Sequence, residues 1–361
     1  ATQQFAMVPL NFMTTGKADY IVTGNFSNLA AKEAAKFGEA KIVASSKDRN
    51  FTYIPDVNAI DYDKDASYIH ICQNNTIFGT QYVELPQVEG VPLVADMSSM
   101  ILSKPVDVTK YGCIYFGVQK NVAPAGMAIA IVRDDLLGHA ADNVPTMMNY
   151  TTLLGKDSMY NTPPCWCIYM TGLVLKYLEN DIGGLENMQK INEAKAKILY
   201  DYLDGQEFFH NPVEHRYRST MNVTFTSPDP DMDKKFCAEA AEAGFVNLKG
   251  HRLVGGMRAS NPYPSDRDRT GLCYTGKWLS GRAWRAFFAK PGTGHGSAGA
   301  YLCQPAHCPG KDRSASTGTD RSIAGAFHRD ASCWRARQRQ DHIAAQYRPG
   351  ARPAAEDPFG H

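Results

Sequence analysis

The fold class is decided by two stretches of sequence, VPLVADMSS (residues 91–99) and GCIYFGVQKN (residues 112–121). Each begins with a short apolar run and ends in polar or ionisable side chains, with Asp96 in the first and Lys120 in the second. A third stretch, SYIHICQNNT (residues 67–76), repeats the pattern. Continuous apolar runs are typical of strands buried on both faces of a parallel sheet. Because such sheets bind ligands at the carboxyl ends of their strands, we expect a functional site there.

Outward from these stretches, helical and strand patterns alternate along the chain, which indicates an α/β fold with a mainly parallel sheet. We predict helices over residues 3–13, 27–37, 167–178, 185–203 and 231–243. We predict strands over residues 18–23, 41–44, 67–72, 91–95, 112–116, 128–132, 221–225, 245–248 and 257–260. Since Gly183 and Gly184 interrupt the helical pattern, we place a domain boundary there. The expected domains are a large one over 1–183, a smaller α+β one over 184–260, and a tail over 261–361.

The charge balance excludes the simplest kinds of nucleic-acid-binding and acidic-tail protein. The 361 residues include 38 Lys and Arg and 37 Asp and Glu, for a net charge of +1. The balance is uneven, because residues 1–261 carry 23 basic and 29 acidic side chains, and residues 262–361 carry 15 and 8. The second segment has no Val or Met and only nine Leu, Ile and Phe. Such a composition is too poor in apolar residues to build a core.

Cellular location and metal content are inferred from what the sequence lacks. It has no apolar run of about 18 residues, so no membrane span is expected, and its start has no signal-peptide pattern. Nine irregularly spaced cysteines argue against a disulfide framework and favour the cytoplasm. Cys165 and Cys167 are expected in the core. No Cys and His spacing matches a standard zinc site, so no metal is predicted.

Asp96 and Lys120 are the strongest candidates for catalytic residues. Each follows an apolar strand, so neighbouring strands could bring both to one sheet edge. A lysine forms a Schiff base with pyridoxal phosphate, and a carboxylate keeps the cofactor's ring nitrogen protonated, so this pair suits that cofactor. Spacing alone leaves a second interpretation open, in which Asp96 caps a helix and Lys120 is an ordinary loop lysine.

Residues 1–260 resemble the phosphoserine aminotransferases, which are class V, fold-type I enzymes that use pyridoxal phosphate. The resemblance rests on several long motifs in the same order, which are QFAMVP (4–9), ADYIVTG (18–24), VADMSS (94–99), GVQKN (117–121), YNTPP (160–164), KGHR (249–252) and GGMRAS (255–260). It implies a fold-type I large domain with a smaller α+β domain. It also implies pyridoxal phosphate as the cofactor.

The resemblance assigns a role to each motif residue near the cofactor. Lys120 resembles the lysine that carries the cofactor, and Gln119 would contact the cofactor phosphate. Asp96 would pair with the pyridine nitrogen, and Thr76 would donate to the 3-hydroxyl group. Phe26 takes the place of a stacking aromatic residue that is usually Trp. This replacement keeps a stacking surface but removes an indole N–H group.

Two further pairs of residues are matched to the cofactor phosphate. Ala1 and Thr2 align with the end of a Gly-rich phosphate loop, and a helix start suits a phosphate group. Asn161 and Thr162 resemble the pair that reaches the cofactor phosphate of a neighbouring subunit, which implies a homodimer with shared active sites. The local pattern fits a simple turn equally well.

The basic residues His251, Arg252 and Arg258 suit a substrate with two anionic groups, since an Arg fork matches carboxylate or phosphate. The resemblance implies that His251 and Arg252 bind the phosphate of phosphoserine and that Arg258 binds a carboxylate. The implied reaction transfers an amino group from glutamate to 3-phosphohydroxypyruvate, and a related pyridoxine-pathway substrate stays open. The alternative is a solvated basic turn.

Both ends of the sequence depart from this family. The resemblance implies a further segment before Ala1 and a closing helix after Ser260. We expect residues from about 261 onward to be a frameshifted tail, because Arg, His, Cys and Pro rise where Val and Lys fall. An Arg-rich arm for nucleic acid is the alternative, but its arginines are scattered among acidic residues. The chain could also be another class V enzyme or a non-catalytic remnant.

Overall fold

The structure is a computed structural model, and it describes residues 1–245 and 247–260, which lie within one compact unit. The predicted tail, and with it the frameshift hypothesis, lies outside the described residues. The helices are α1 (Gln4–Phe12), α2 (Asn25–Ala34), α3 (Tyr150–Leu154), α4 (Cys165–Tyr177), α5 (Leu185–Asp204) and α6 (Pro230–Glu242). The strands are β1 (Lys17–Val22), β2 (Glu39–Ser45), β3 (Ile69–Cys72), β4 (Asn74–Asn75), β5 (Thr80–Gln81), β6 (Leu93–Asp96), β7 (Cys113–Gly117), β8 (Ala128–Val132), β9 (Asn222–Phe225) and β10 (Met257–Ser260).

A six-stranded sheet with the order β2-β1-β3-β6-β7-β8 forms the centre of the fold. All neighbouring strands run parallel except β8, which is antiparallel to β7. Every residue of β3, β6 and β7 is buried, which explains their continuous apolar sequences. In the register, Cys72 pairs with Asp96 and Asp96 with Tyr115, so the three strands end side by side. The prediction of a mainly parallel α/β sheet is confirmed.

Alternate residues of the strands build one apolar layer on each face of this sheet, because side chains alternate along a strand. Ile71, Ala95 and Ile114 lie in one buried cluster. Tyr20 and Tyr115 lie in the other, together with residues of α1 and α2. Burial on both faces holds the strand ends in place.

A separate apolar cluster follows the glycine pair. Gly183 has a φ of 78°, a left-handed conformation that glycine adopts readily, and it follows a π-helical turn at Leu178–Ile182. α5, α6 and the antiparallel pair β9–β10 share a separate apolar cluster that includes Leu199 and Phe225. In this pair Arg258 lies opposite Thr224.

Two local predictions are wrong. Of the strand expected over 245–248, the described residues 245, 247 and 248 are not in a strand, because Asn247 adopts a left-handed φ of 63° that an extended strand cannot contain. Pairing there is reduced to an isolated bridge between Lys249 and Met257. Cys167 is buried as expected, but Cys165 is exposed, since it lies on the outer side of the first turn of α4. Of the helices in the described residues, none is both long and apolar enough to cross a membrane.

Candidate active site

Asp96 is the last residue of β6 and is buried. One of its carboxylate oxygens is held by hydrogen bonds, and the other is available to accept one. Its Oδ1 atom accepts hydrogen bonds from the backbone N–H of Ser98 at 2.9 Å and from the Ser98 hydroxyl at 2.6 Å. The Ser98 hydroxyl oxygen also accepts from the Gly117 N–H at the end of β7, at 3.1 Å. No hydrogen bond from the described residues reaches Oδ2. Asp96 therefore presents an acceptor at the carboxyl edge of the sheet.

Lys120 lies three residues beyond β7 and points to the same edge. Its Nζ atom donates to the Thr76 hydroxyl at 2.7 Å and lies 4.9 Å from the centre of the Phe26 ring. Part of the side chain is exposed, but the surrounding protein displaces water from the amine, and this desolvation lowers the pKa of Lys120. The negative charge of Asp96 acts in the opposite direction, and the positive charge of Arg258 adds to the lowering of this pKa.

Thr76 connects Lys120 to the second half of the site, which is formed by the basic residues His251, Arg252 and Arg258. It lies in the turn between β4 and β5, and its backbone carbonyl accepts a hydrogen bond from Arg258 Nη1 at 3.2 Å. One residue therefore contacts both the Lys120 amine and the Arg258 guanidinium. The motif that contains Thr76 predicts a place near the cofactor hydroxyl but neither of these two contacts.

The basic residues of the second half lie near one another. Desolvation lowers the pKa of the His251 imidazole, and the positive charges of Arg258 and Arg252 lower it further. The His251 Nδ1 atom accepts a hydrogen bond from the Leu253 N–H at 3.3 Å, so the ring is oriented by its own turn. Arg252 is exposed, and Arg258 is half-buried on β10.

Ala1 and Gln119 lie on the Lys120 side of the site. The backbone nitrogen of Ala1 is close enough to Asp96 and Lys120 for the charges of both side chains to act on it. Thr2 is exposed in the turn that leads into α1, with its carbonyl accepting from the Phe5 N–H at 3.1 Å. The Gln119 side chain folds back over Gly117, where only the absence of a Cβ atom leaves room for it.

Asn161 and Thr162 are candidates that the structure does not bring to Lys120. Both are exposed on the loop that precedes α4. No hydrogen bond to Lys120, Asp96 or Thr76 is formed by either side chain within the described residues. Their predicted contact with a second subunit stays a prediction.

The residues present fit pyridoxal phosphate. Asp96 offers its remaining oxygen to a protonated ring nitrogen, which is the acceptor that the cofactor needs. Phe26 offers an aromatic face beside the Lys120 amine, and an amine with a lowered pKa is a better nucleophile at neutral pH. In the part of the chain that the structure describes, no cluster of His, Cys, Asp or Glu is arranged to hold a metal ion.

Comparison with known proteins agrees with this geometry. The family model described as "Aminotransferase class-V" matches residues 1–261. The chain belongs to this family. Class-V aminotransferases use pyridoxal phosphate, so the cofactor prediction is confirmed, as is the prediction of an aminotransferase.

Individual relatives are similar over the same region. A phosphoserine aminotransferase of Bacillus cereus is 50% identical over 261 residues, which are 72% of each chain. A solved phosphoserine aminotransferase studied for radiation damage of its Schiff base is 46% identical, with a TM-score of 0.69 over 72% of each chain. A phosphoserine aminotransferase of Trichomonas vaginalis with bound pyridoxal phosphate is 34% identical, with a TM-score of 0.68 over 72% of this chain and 75% of that one. These similarities confirm the resemblance and the fold-type I class.

The sequence did not predict the buried residues whose hydrogen bonds hold the site residues in place. Ser98 fixes Asp96, and Asn74 bonds to three side chains of two other segments, although the sequence pattern distinguishes neither residue. The signal was present in part, since Ser98 belongs to the motif VADMSS (94–99) and Asn74 to the stretch SYIHICQNNT (67–76). Nothing in the sequence pattern shows which polar residue of a motif faces inward.

Proposed function

We propose that this protein transfers the amino group of glutamate to 3-phosphohydroxypyruvate, giving O-phospho-L-serine and 2-oxoglutarate in serine biosynthesis. The observation that carries the proposal is the position of Thr76 between Lys120 and Arg258. Thr76 alone separates the Lys120 amine, which would transfer a proton, from the Arg258 guanidinium, which would bind a carboxylate. The similarity to phosphoserine aminotransferases supports the same reaction.

The residues around Lys120 would hold the cofactor, which when bound supplies an electron sink for the substrate carbon. Asp96 would accept a hydrogen bond from the ring nitrogen, and Phe26 would cover one face of the ring. Thr76 would donate to the 3-hydroxyl group. Gln119 and the backbone N–H groups at Ala1 and Thr2 would contact the phosphate.

Lys120 would act as the general base and acid. An unprotonated amine is needed to take a proton from the substrate carbon, and the lowered pKa favours that form. The Thr76 hydroxyl, 2.7 Å from Nζ, would hold the amine in place between the two proton transfers. Asp96, by its negative charge, keeps the pKa from falling further.

His251, Arg252 and Arg258 would select a substrate with two anionic ends. Arg258 suits the carboxylate beside the reacting carbon, since its carbonyl partner Thr76 also contacts Nζ and its charge acts on the Lys120 pKa. Arg252 and His251 suit the distal phosphate, because the Arg252 guanidinium is exposed and the adjacent His251 imidazole is only partly buried. The positive charges of Arg252 and Arg258 both lower the pKa of the His251 imidazole, and a bound phosphate dianion would offset this repulsion between like charges.

Assembly, location and domain organisation form part of the same proposal. A cytoplasmic homodimer with shared sites would let Asn161 and Thr162 reach the partner's cofactor phosphate. In support, the helix that follows them exposes large apolar side chains, including Trp166 at 58% and Leu175 at 47%. Exposed apolar side chains clustered on one helix are typical of a protein–protein interface. The domain boundaries at residues 183 and 260 belong to this proposal as well.

The direct experiment is an amino-transfer assay on the purified protein loaded with pyridoxal phosphate. Glutamate should bleach the yellow colour of the loaded protein, and 3-phosphohydroxypyruvate should restore it with release of phosphoserine. Lys120→Ala should abolish both changes, whereas Lys110→Ala, which replaces an exposed lysine at the end of a short 3-10 helix, should leave them intact. Colour changes that persist in Lys120→Ala, or a wild-type protein without them, would contradict the proposal.

A further inference from the structure

A buried group of polar side chains joins three segments behind the site, and Asn74 lies at its centre. Asn74 is 2% exposed and belongs to the short hairpin β4–β5. Its Nδ2 atom donates to the Ser99 hydroxyl at 2.7 Å and to Asn222 Oδ1 at 2.9 Å. Its Oδ1 atom accepts from the Ser219 hydroxyl at 2.6 Å. We name Asn74, Ser99, Ser219 and Asn222 the Asn74 junction.

Both polar atoms of the Asn74 side chain are engaged, and the junction is closed by further hydrogen bonds. The Ser99 hydroxyl donates to the Asn74 carbonyl at 2.9 Å. The Ser219 hydroxyl oxygen accepts from the N–H groups of Met221 and Asn222, each at 3.0 Å. A buried network in which every group is satisfied is rigid, because sliding would leave polar atoms without partners.

Three residues of the junction are each linked to a different part of the site. Asn74 is two residues before Thr76, which contacts Lys120. Ser99 directly follows Ser98, which fixes Asp96. Asn222 begins β9, and its Nδ2 atom donates to the Ser260 hydroxyl of β10 at 3.2 Å, on the strand that carries Arg258. The junction therefore connects the Lys120 and Asp96 half to the Arg258 half.

We propose that Asn74 is a positioning residue that sets the distance between Arg258 and Lys120, and thereby the fit of a dianionic substrate between them. This inference rests on the proposed function for its substrate. Asn74 itself would contact neither the cofactor nor the substrate, because both polar atoms of its side chain are engaged within the junction. Its side chain acts through Thr76 on one side and through Asn222 and β10 on the other.

The neighbouring Asn75 is a matched control. It lies in the same hairpin with 3% exposure, and its Nδ2 atom donates to the hydroxyls of Thr23 and Thr80, each at 3.1 Å. Both partners belong to the Lys120 side of the molecule, and neither belongs to β9 or β10. Asn75→Ala should therefore cost stability as Asn74→Ala does, but leave the distance between the two halves unchanged.

The test compares steady-state kinetics of the holoenzyme. Asn74→Ala should raise KM for 3-phosphohydroxypyruvate about tenfold, the effect of losing roughly one buried hydrogen bond, with a smaller change in kcat. Asn222→Ala removes the hydrogen bond between Asn74 and Asn222 by changing the other partner, and it should have a similar effect. It therefore replaces Asn74→Ala in the test if that variant does not fold. The double variant should be no worse than either single one, because both break one connection.

A second readout needs neither cofactor nor activity. The pH midpoint for acetylation of Lys120 by acetic anhydride reports the approach of Arg258, whose positive charge lowers the Lys120 pKa. In Asn74→Ala this midpoint should rise towards that of Arg258→Gln, and in Asn75→Ala it should not. An unchanged KM and midpoint in Asn74→Ala, or equal changes in Asn75→Ala, would overturn the proposal. If the wild-type protein transfers no amino group, the proposed function fails, but the acetylation midpoints still decide the role of Asn74.

Discussion

The Nζ atom of Lys120 lies 4.9 Å from the centre of the Phe26 ring. Phe26 is the second residue of α2, and the Gly24 cap brings this helix start against the hairpin that carries Thr76, since a Cβ atom at Gly24 would lie 2.5 Å from Asn75 Oδ1. The aromatic face and the amine are thus held by two adjoining elements. A planar ring attached to Lys120 would meet the face of Phe26.

Replacing Phe26 tests this stacking surface. Phe26→Leu should raise the Kd for pyridoxal phosphate about fivefold, since an aromatic pair contributes roughly 0.5–1.5 kcal/mol beyond its buried area. Phe26→Trp should bind at least as tightly as the wild type. An absorbance titration measures both, with Phe37→Leu, an exposed aromatic residue, as the control. Equal affinity in Phe26→Leu and the wild type would show that the ring is not a stacking surface.

The charges around Lys120 predict opposite shifts in two variants. Asp96→Asn should lower the pKa of Lys120 further, because the carboxylate raises it, and Arg258→Gln should raise it, because the guanidinium lowers it. The pH midpoint of acetylation, read by mass spectrometry, should move down in the first and up in the second. Lys110 in the same sample provides the reference. Shifts in the same direction would contradict the proposed arrangement of charges.

Arg252 should matter more for the phosphorylated substrate than for glutamate. Arg252→Gln should raise KM for 3-phosphohydroxypyruvate about tenfold or more, given that hydrogen bonds to charged groups contribute roughly 1.5–3 kcal/mol. The change for glutamate should be smaller, because its distal group carries one negative charge rather than two. Arg216→Gln, which removes an exposed partner of Glu84, is the control. An equal loss for both substrates would argue against phosphate recognition by Arg252.

The buried His70 predicts a loss of stability in acid. Desolvation lowers its pKa to about 3, and its Nε2 atom is 2.8 Å from the Tyr115 hydroxyl. The unfolded chain takes up a proton near pH 6.5 and the folded chain does not, so stability is lost as pH falls from about 6.5 towards 3. The free energy of unfolding should fall by about 2 kcal/mol between pH 7 and pH 5 from this residue alone.

Denaturant unfolding at the two pH values, repeated on His70→Gln, measures this contribution. The variant is expected to be less stable at pH 7 but to depend less on pH, because it has no imidazole to protonate. If the variant keeps the full pH dependence, other groups cause the acid destabilisation.

The central sheet was predictable because its signal is local. The apolar runs that end at Asp96 and Lys120 are long enough to identify buried strands, and parallel strands bring their carboxyl ends together whatever lies between them. The register of Cys72, Asp96 and Tyr115 is the consequence. The pattern alone suggested roles for Asp96 and Lys120, but the roles of Thr76, Phe26 and Gln119 depended on the resemblance.

Other features could not be predicted because they depend on a single backbone angle or on distant partners. The left-handed conformation of Asn247 replaces an expected strand by an isolated bridge. The hydrogen bonds of Asn74 join residues that are 25 and 148 positions apart in sequence. Periodicity carries no information about such contacts, since they depend on how the segments pack.

The most direct test of the account is to find which residue carries the cofactor. The protein is loaded with pyridoxal phosphate, reduced with sodium borohydride to fix the cofactor to its lysine, and mapped by peptide mass spectrometry. We predict that the mass of the reduced cofactor is found on Lys120, that Lys120→Ala removes it, and that Asp96→Asn weakens loading. Fixation on another lysine, or labelling spread over surface lysines and unchanged in Lys120→Ala, would contradict the account.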